Sequence, residues 1–112
     1  MERFLALWDA LKELPVSVNF DTANAWALRD WKRILEAVKG RIATIHLNDL
    51  ASAEPLKFAL VGEGIVPLQE LVQAVTDTGF DGYICIEEAG CRGWAGMKKA
   101  AAFTRDLVEK LH

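Results

Sequence analysis

The sequence predicts an α/β fold in which about three parallel strands alternate with four helices. The first observation is that three short segments alternate between apolar and polar residues, as strands with one buried face do. The second is that apolar residues recur at spacings of three and four between these segments, as in amphipathic helices. Strands that alternate with helices favour a parallel sheet with right-handed crossovers. The length fits a single domain, residues 1–112.

The first half of the chain is expected to contain two helices and the first strand. An amphipathic helix ends before Pro15, because the residue that precedes a proline disfavours the helical conformation. Its apolar residues are Phe4, Leu7, Trp8, Leu11 and Leu14. The first strand covers residues 16–21, with valine and phenylalanine on one face and polar residues on the other. The second helix begins at either Asn24 or Asp30 and ends at Lys39.

The second half is expected to contain two strands and two helices. A strand over residues 41–46 ends on a histidine, and a long loop over residues 50–66 follows it. Pro67 suits the first turn of the third helix, where its missing N–H is not needed. The third strand covers residues 83–87, and the last helix follows a loop over residues 88–93.

Each predicted strand ends on a residue that can bind a metal. Asp21, His46 and Glu87 all lie on the polar parity of their strands. The carboxyl ends of parallel strands meet at one edge of the sheet, where the functional sites of α/β folds lie. Carboxylates combined with an imidazole suit Mn²⁺, Zn²⁺ or Co²⁺. Two alternatives remain open: Asp21 caps the following helix, and the histidine is structural.

Composition and charge narrow the class of protein. The net charge is −3 and the pI is about 5.3, which argues against nucleic acid or an anionic membrane surface as a partner. No apolar run approaches the roughly 20 residues of a membrane span. Cys85 and Cys91 form no Cys-x-x-Cys pair, so we expect a reducing compartment, the cytoplasm.

Four motifs give the chain a resemblance to a known family. Residues 21–26, Asp-Thr-Ala-Asn-Ala-Trp, are similar to the Asp-Thr-Gly-His-Ala-Trp segment of xylose isomerase-like sugar phosphate isomerases and epimerases. Residues 46–49, His-Leu-Asn-Asp, resemble their His-x-Lys-Asp motif. Residues 62–64 resemble their Gly-Glu-Gly turn. Residues 79–87 resemble their last strand, Gly-Tyr-Asp-Gly-x-x-x-x-Glu.

The resemblance implies a (β/α)₈ TIM barrel with a divalent metal, Mn²⁺, Zn²⁺, Co²⁺ or Mg²⁺, held by four side chains. Asp21, His46 and Glu87 match three of those ligands. Glu87 also matches a catalytic carboxylate, which moves a proton between neighbouring carbons of a sugar. The family's fourth ligand, a glutamate on an earlier strand, has no counterpart in this chain. The candidate substrate-binding residues are Asn24, Trp26, Asn48 and Lys57.

Two departures from the family pattern affect the expected function. Asn24 stands where the family has a histidine, and Asn48 where it has a lysine, which changes the contacts to a substrate. The resemblance also covers only the last three strands of a barrel that needs roughly 250 residues. The chain is therefore expected to be a piece of a longer protein, or a fragment that completes itself by association.

The expected function is that of a sugar or sugar phosphate isomerase/epimerase-like barrel fragment, with a partial metal site and little or no activity alone. The alternative is a non-catalytic oligomeric scaffold. Three parallel strands leave two open edges, so we expect a homo-oligomer, a dimer in the simplest case. The competing possibility is a monomer in which helices from both ends of the chain fold across the polar face of the sheet, for which the first helix is long enough.

Overall fold

The computed structural model describes all 112 residues, which form five helices and five strands. The helices are α1 (Glu2–Leu11), α2 (Thr22–Ala27), α3 (Trp31–Val38), α4 (Leu68–Asp77) and α5 (Gly93–Glu109). The strands are β1 (Val18–Asp21), β2 (Ile42–Leu47), β3 (Asp49–Ala53), β4 (Leu56–Ala59) and β5 (Tyr83–Ile86). No helix has both the length and the apolar character needed to cross a membrane.

The main sheet has three parallel strands in the order β1-β2-β5. This arrangement confirms the predicted parallel sheet, because both strand pairings are parallel. The first crossover passes through α2 and α3, and the second through the hairpin β3–β4 and α4. The pairing places Asp21 beside His46, and His46 beside Cys85. Strands β1 and β5 each pair only with β2, so the outer edge of each is open.

The two faces of the sheet differ in their exposure. On the apolar parity, Phe20, Ile45 and Leu47 are buried and belong to one core that also includes α2, α3 and α4. On the polar parity, Asn19 and Cys85 are exposed, and the side chain of Tyr83 is 79% exposed. The helices therefore cover one face of the sheet and leave the other open to solvent.

Helix α1 belongs to the covered side of the molecule. It contacts α3, and the indole N–H of Trp8 donates to the carbonyl oxygen of Ala37 at 2.8 Å. The guanidinium of Arg41 lies over the Trp8 ring and donates to the carbonyl oxygens of Lys12 and Leu14. These contacts fix the connection between α1 and β1 and leave the polar face of the sheet uncovered.

Several predicted element boundaries were wrong; helix α1, for example, ends at Leu11 rather than next to Pro15. The expected loop over residues 50–66 contains the antiparallel hairpin β3–β4, whose Ala, Ser, Glu and Lys residues have low strand propensity and gave no strand signal. Of the two starts predicted for the second helix, Asp30 agrees with the structure, where it is the N-cap of α3. Residues 22–27 form the separate helix α2, and the left-handed backbone of Arg29, with φ of 70°, lies between the two helices. Strand β1 begins at Val18 rather than at residue 16.

Candidate metal centre

Asp21 ends β1 and at the same time caps the helix that follows. Its backbone is extended, and its carboxylate accepts a hydrogen bond from the Asn24 N–H at 2.7 Å. Such a cap satisfies one of the N–H groups that have no partner within the first turn of a helix. The capping role and a position in a polar site are therefore compatible, because a carboxylate can accept several contacts.

His46 and Glu87 meet at the carboxyl ends of neighbouring strands. The Glu87 N–H donates to the carbonyl oxygen of Leu47, which continues the pairing one residue beyond β5. The Nδ1 atom of His46 then lies 3.0 Å from a carboxylate oxygen of Glu87. Their side chains are 38% and 52% exposed, respectively, so both remain accessible from solvent.

The three predicted ligands converge on one point. One ligand atom each from Asp21, His46 and Glu87 lies within 4.8 Å of the other two. Zn²⁺ and Mg²⁺ hold oxygen and nitrogen ligands at about 2.0–2.2 Å, so two ligand atoms of one ion are about 3–4.4 Å apart. The separations of up to 4.8 Å between the three candidate ligand atoms are close to this range. Two carboxylates and an imidazole are also donors suited to divalent ions, and the residues therefore fit a divalent metal.

The carboxyl group of Asp21 is electrostatically unusual. Burial raises its pKa above the ordinary value of 3.8, and the neighbouring charge of Glu87 raises it further. Hydrogen bonds from the Asn24 N–H and the Asn48 side chain partly offset this rise in pKa. Two carboxylates held this close destabilise each other unless a proton or a cation is shared between them.

Two buried hydrogen bonds between Thr22 and Asn48 hold together the elements that carry the candidate ligands. The Thr22 hydroxyl donates to the carbonyl oxygen of Asn48 at 2.7 Å and accepts from the Asn48 N–H at 2.9 Å. Both residues are almost completely buried. This pair joins the start of α2 to the end of β2, and it therefore fixes the position of Asp21 relative to His46.

The predicted substrate-binding residues divide into two groups by position. Asn24 and Asn48 line the cleft of about 330 Å³ that contains the three candidate ligands. Trp26 lies apart from it, in a separate groove beside Arg29 and Ala53. Lys57 is exposed on β4, paired with Ser52, and does not line the cleft. Contacts of these four residues with a substrate stay predictions.

The apolar residues that line the cleft were missed from the sequence, and two of them are exposed. Phe58 on β4 and Leu28 after α2 are 43% and 42% exposed, and both line the cleft with the candidate ligands. The only available signal was an aromatic residue in a segment expected to be a polar loop. The position of Phe58 next to the site depends on the hairpin β3–β4, which was not predicted from the sequence.

The comparisons with known proteins agree with this geometry. Residues 1–107 match the family model described as a xylose isomerase-like TIM barrel. The chain belongs to the xylose isomerase-like TIM barrel family. The predicted fold class, a partial (β/α)₈ barrel, is therefore confirmed. A comparison with curated proteins finds no match.

Two solved structures share the fold of this chain. One is a xylose isomerase domain protein from Planctomyces limnophilus, with a TM-score of 0.77 and 17% identity over 98% of this chain. The other is a D-tagatose 3-epimerase-like protein, with a TM-score of 0.71 and 21% identity over 92% of this chain. The chain spans 44% and 39% of their respective lengths.

Proposed function

We propose that this chain carries the metal-binding part of a sugar isomerase or epimerase, in which Asp21, His46 and Glu87 hold a divalent cation. The observation that carries the proposal is the convergence of their ligand atoms within 4.8 Å at the carboxyl ends of the strands. The printed names of the two similar structures, a xylose isomerase domain protein and a D-tagatose 3-epimerase-like protein, favour the same chemistry.

The residues of the chain have distinct roles in this proposal. A divalent metal held by Asp21, His46 and Glu87 would polarise a sugar carbonyl and so acidify the neighbouring C–H group. Glu87 is the candidate base: its carboxylate would take the proton, and the electron pair of the C–H bond would move towards the carbonyl oxygen. His46 orients that carboxylate through the 3.0 Å contact, and Asn24 and Asn48 offer amide groups to the hydroxyls of a sugar.

Moving a proton between two carbons of a sugar requires a second acid–base group. This chain has no such group at the matching position. Glu63 forms ion pairs with Arg92 and Lys99, and Glu88 accepts a hydrogen bond from the Gly90 N–H. Glu63 is thus paired with side chains at and within the start of α5, and Glu88 is engaged within its own loop. We therefore expect the 112-residue chain to be weakly active or inactive alone.

Thermal unfolding in the presence of metal tests the proposal. Ions that bind only the folded chain stabilise it and so raise its melting temperature. At an ion concentration of 100 Kd the stabilisation is about 2.7 kcal/mol. We expect such a rise with Mn²⁺, Zn²⁺, Co²⁺ or Mg²⁺, and its loss in Asp21→Asn, which retains a capping side chain. Asp81→Asn, an exposed carboxylate in the turn before β5, is the control. Equal shifts in all three proteins would exclude this site.

A non-catalytic oligomeric scaffold is the second candidate function. It is favoured by the open outer edges of β1 and β5 and by the bare polar face of the sheet. We propose a second copy of the chain as the protein partner and a small sugar as the ligand at the metal site. We propose neither nucleic acid nor a membrane as a partner.

The unpaired, exposed thiols of Cys85 and Cys91 favour the cytoplasm as the compartment of this protein.

A further inference from the structure

Asn48 is almost completely buried, yet it lines the cleft that contains the three candidate ligands. It lies two residues after His46 and is bonded to the first residue of α2. We infer that Asn48 is a positioning residue, whose side-chain amide holds the Asp21 carboxylate in place for a metal. The inference rests on the proposed function, because it concerns the same metal site.

The backbone of Asn48 is fixed next to Asp21. The Thr22 hydroxyl accepts from the Asn48 N–H at 2.9 Å and lies 2.7 Å from the Asn48 carbonyl oxygen, to which it donates. Thr22 directly follows Asp21 in the chain, and its hydroxyl is also 3.3 Å from the carbonyl oxygen of His46. Buried hydrogen bonds therefore set where the side chain of Asn48 begins relative to both candidate ligands.

The orientation of the Asn48 amide is set by the next residue. Its side-chain oxygen Oδ1 accepts a hydrogen bond from the Asp49 N–H at 3.0 Å. An N–H group can donate to the oxygen of an amide but not to its nitrogen, so this bond fixes which end of the amide is which. The nitrogen Nδ2 therefore occupies the other end, where it offers two N–H donors and requires acceptors.

The Asp21 carboxylate is an acceptor for this nitrogen. Burial raises the pKa of Asp21 most strongly, and hydrogen bonds from the Asn24 N–H and the Asn48 side chain act against that rise. Carboxylates that bind metals are commonly held by hydrogen bonds of this kind. A neutral amide adds no positive charge that would repel a cation. One N–H of Asn48 can thus hold Asp21, and the other can serve a sugar hydroxyl.

The affinity for Mn²⁺, measured by the EPR signal of the free ion, tests the inference in the full chain. Asn48→Leu keeps a side chain of similar size and removes both ends of the amide. Loss of a residue that orients a metal ligand typically weakens metal binding about 10- to 100-fold, so we expect at least about a tenfold loss. Asn19→Leu is the matched control, because Asn19 lines the same cleft but bonds the Thr44 hydroxyl instead. It should leave the affinity unchanged.

The metal-free protein provides a second test, which requires neither metal binding nor a folded Asn48 variant. Asp21→Ser removes the carboxylate and keeps an oxygen that can cap α2. We expect the side-chain N–H resonances of Asn48 to shift in ¹H–¹⁵N NMR spectra. Their hydrogen exchange should become at least about tenfold faster, because a hydrogen bond to a charged group is lost. Asp81→Ser, which changes an exposed carboxylate before β5, should alter neither.

Three results would overturn the inference: an Mn²⁺ affinity of Asn48→Leu equal to that of the original chain, an equal loss in Asn19→Leu, or unchanged Asn48 side-chain resonances in Asp21→Ser. An original chain that binds no Mn²⁺ contradicts the proposed function instead. In that case, or if Asn48→Leu does not fold, the NMR comparison of the metal-free proteins decides whether Asn48 holds Asp21.

Discussion

The Nδ1 atom of His46 lies 3.0 Å from a carboxylate oxygen of Glu87, although 41 residues separate the two in the chain. The parallel register of β2 and β5 produces this contact, because it brings Leu47 opposite Ile86 and the strand ends side by side. The contact keeps two candidate ligands together before any ion arrives, which reduces the conformational entropy lost on binding.

His46→Ala is expected to abolish the metal-dependent rise in melting temperature and to change the metal-free protein little. The pair with Glu87 is partly exposed, and exposed ion pairs contribute about 0–1 kcal/mol. Thr44→Ala is the matched control, since Thr44 occupies the preceding polar position of β2 and bonds Asn19 instead. Differential scanning fluorimetry with Mn²⁺ checks both variants. A His46→Ala protein that keeps most of the shift would contradict the assignment.

Asp21→Asn is expected to be at least as stable as the original protein at pH 7 without metal. Because the pKa of Asp21 is raised in the folded state, its contribution to stability is fully present below the ordinary pKa of 3.8. That contribution is lost as the pH rises through the folded pKa. An asparagine carries no charge at any pH and can still accept the Asn24 N–H.

Urea unfolding at a series of pH values checks this expectation. The stability difference between Asp21→Asn and the original chain should be largest at neutral pH and should disappear below pH 3.8. Asp81→Asn, whose carboxylate is exposed, controls for the change in net charge. A variant that is less stable than the original chain at pH 7, with a deficit that disappears in acid, would show instead that the charge of Asp21 stabilises the fold.

The convergence of the candidate ligands follows from rules that operate locally. The period of two places Asp21 and His46 on the polar faces of their strands. The alternation of strands with helices makes the sheet parallel, so the strand ends meet at one edge. These two rules sufficed to predict from the sequence which side chains lie together. They did not decide between capping and ligation for Asp21, and the structure shows that its position permits both.

The hairpin could not be predicted because its stability comes from distant contacts. Asp49 begins β3, and its carboxylate accepts hydrogen bonds from the backbone N–H groups of Gly62, Gly64 and Val66, which lie 13 to 17 residues later. No local propensity indicates such an arrangement. The same lack of local signal explains why Phe58 was missed as a lining residue.

Gly64→Ala is expected to destabilise the fold by about 3 kcal/mol or more, through overpacking and lost hydrogen bonds. A β-carbon at this position would overlap the Asp49 carboxylate and the carbonyl oxygen of Leu50. Gly79→Ala is the control: its φ is 89°, but a β-carbon there meets no atom within 4 Å. It should lose only the roughly 1–2 kcal/mol of a left-handed backbone. Chemical denaturation compares the two, and equal losses would show that Asp49 does not restrict this turn.

Self-association is expected at micromolar concentration, because the open edges of β1 and β5 carry unpaired backbone groups. A second copy can pair both edges and cover the polar face, giving a mass about twice 12.4 kDa in sedimentation. Tyr83→Asp, which places a charge on that face at the open edge strand β5, should shift the equilibrium towards monomer. Gln69→Asp, an exposed change on α4, should not. A single 12.4 kDa species for the original chain would exclude this association.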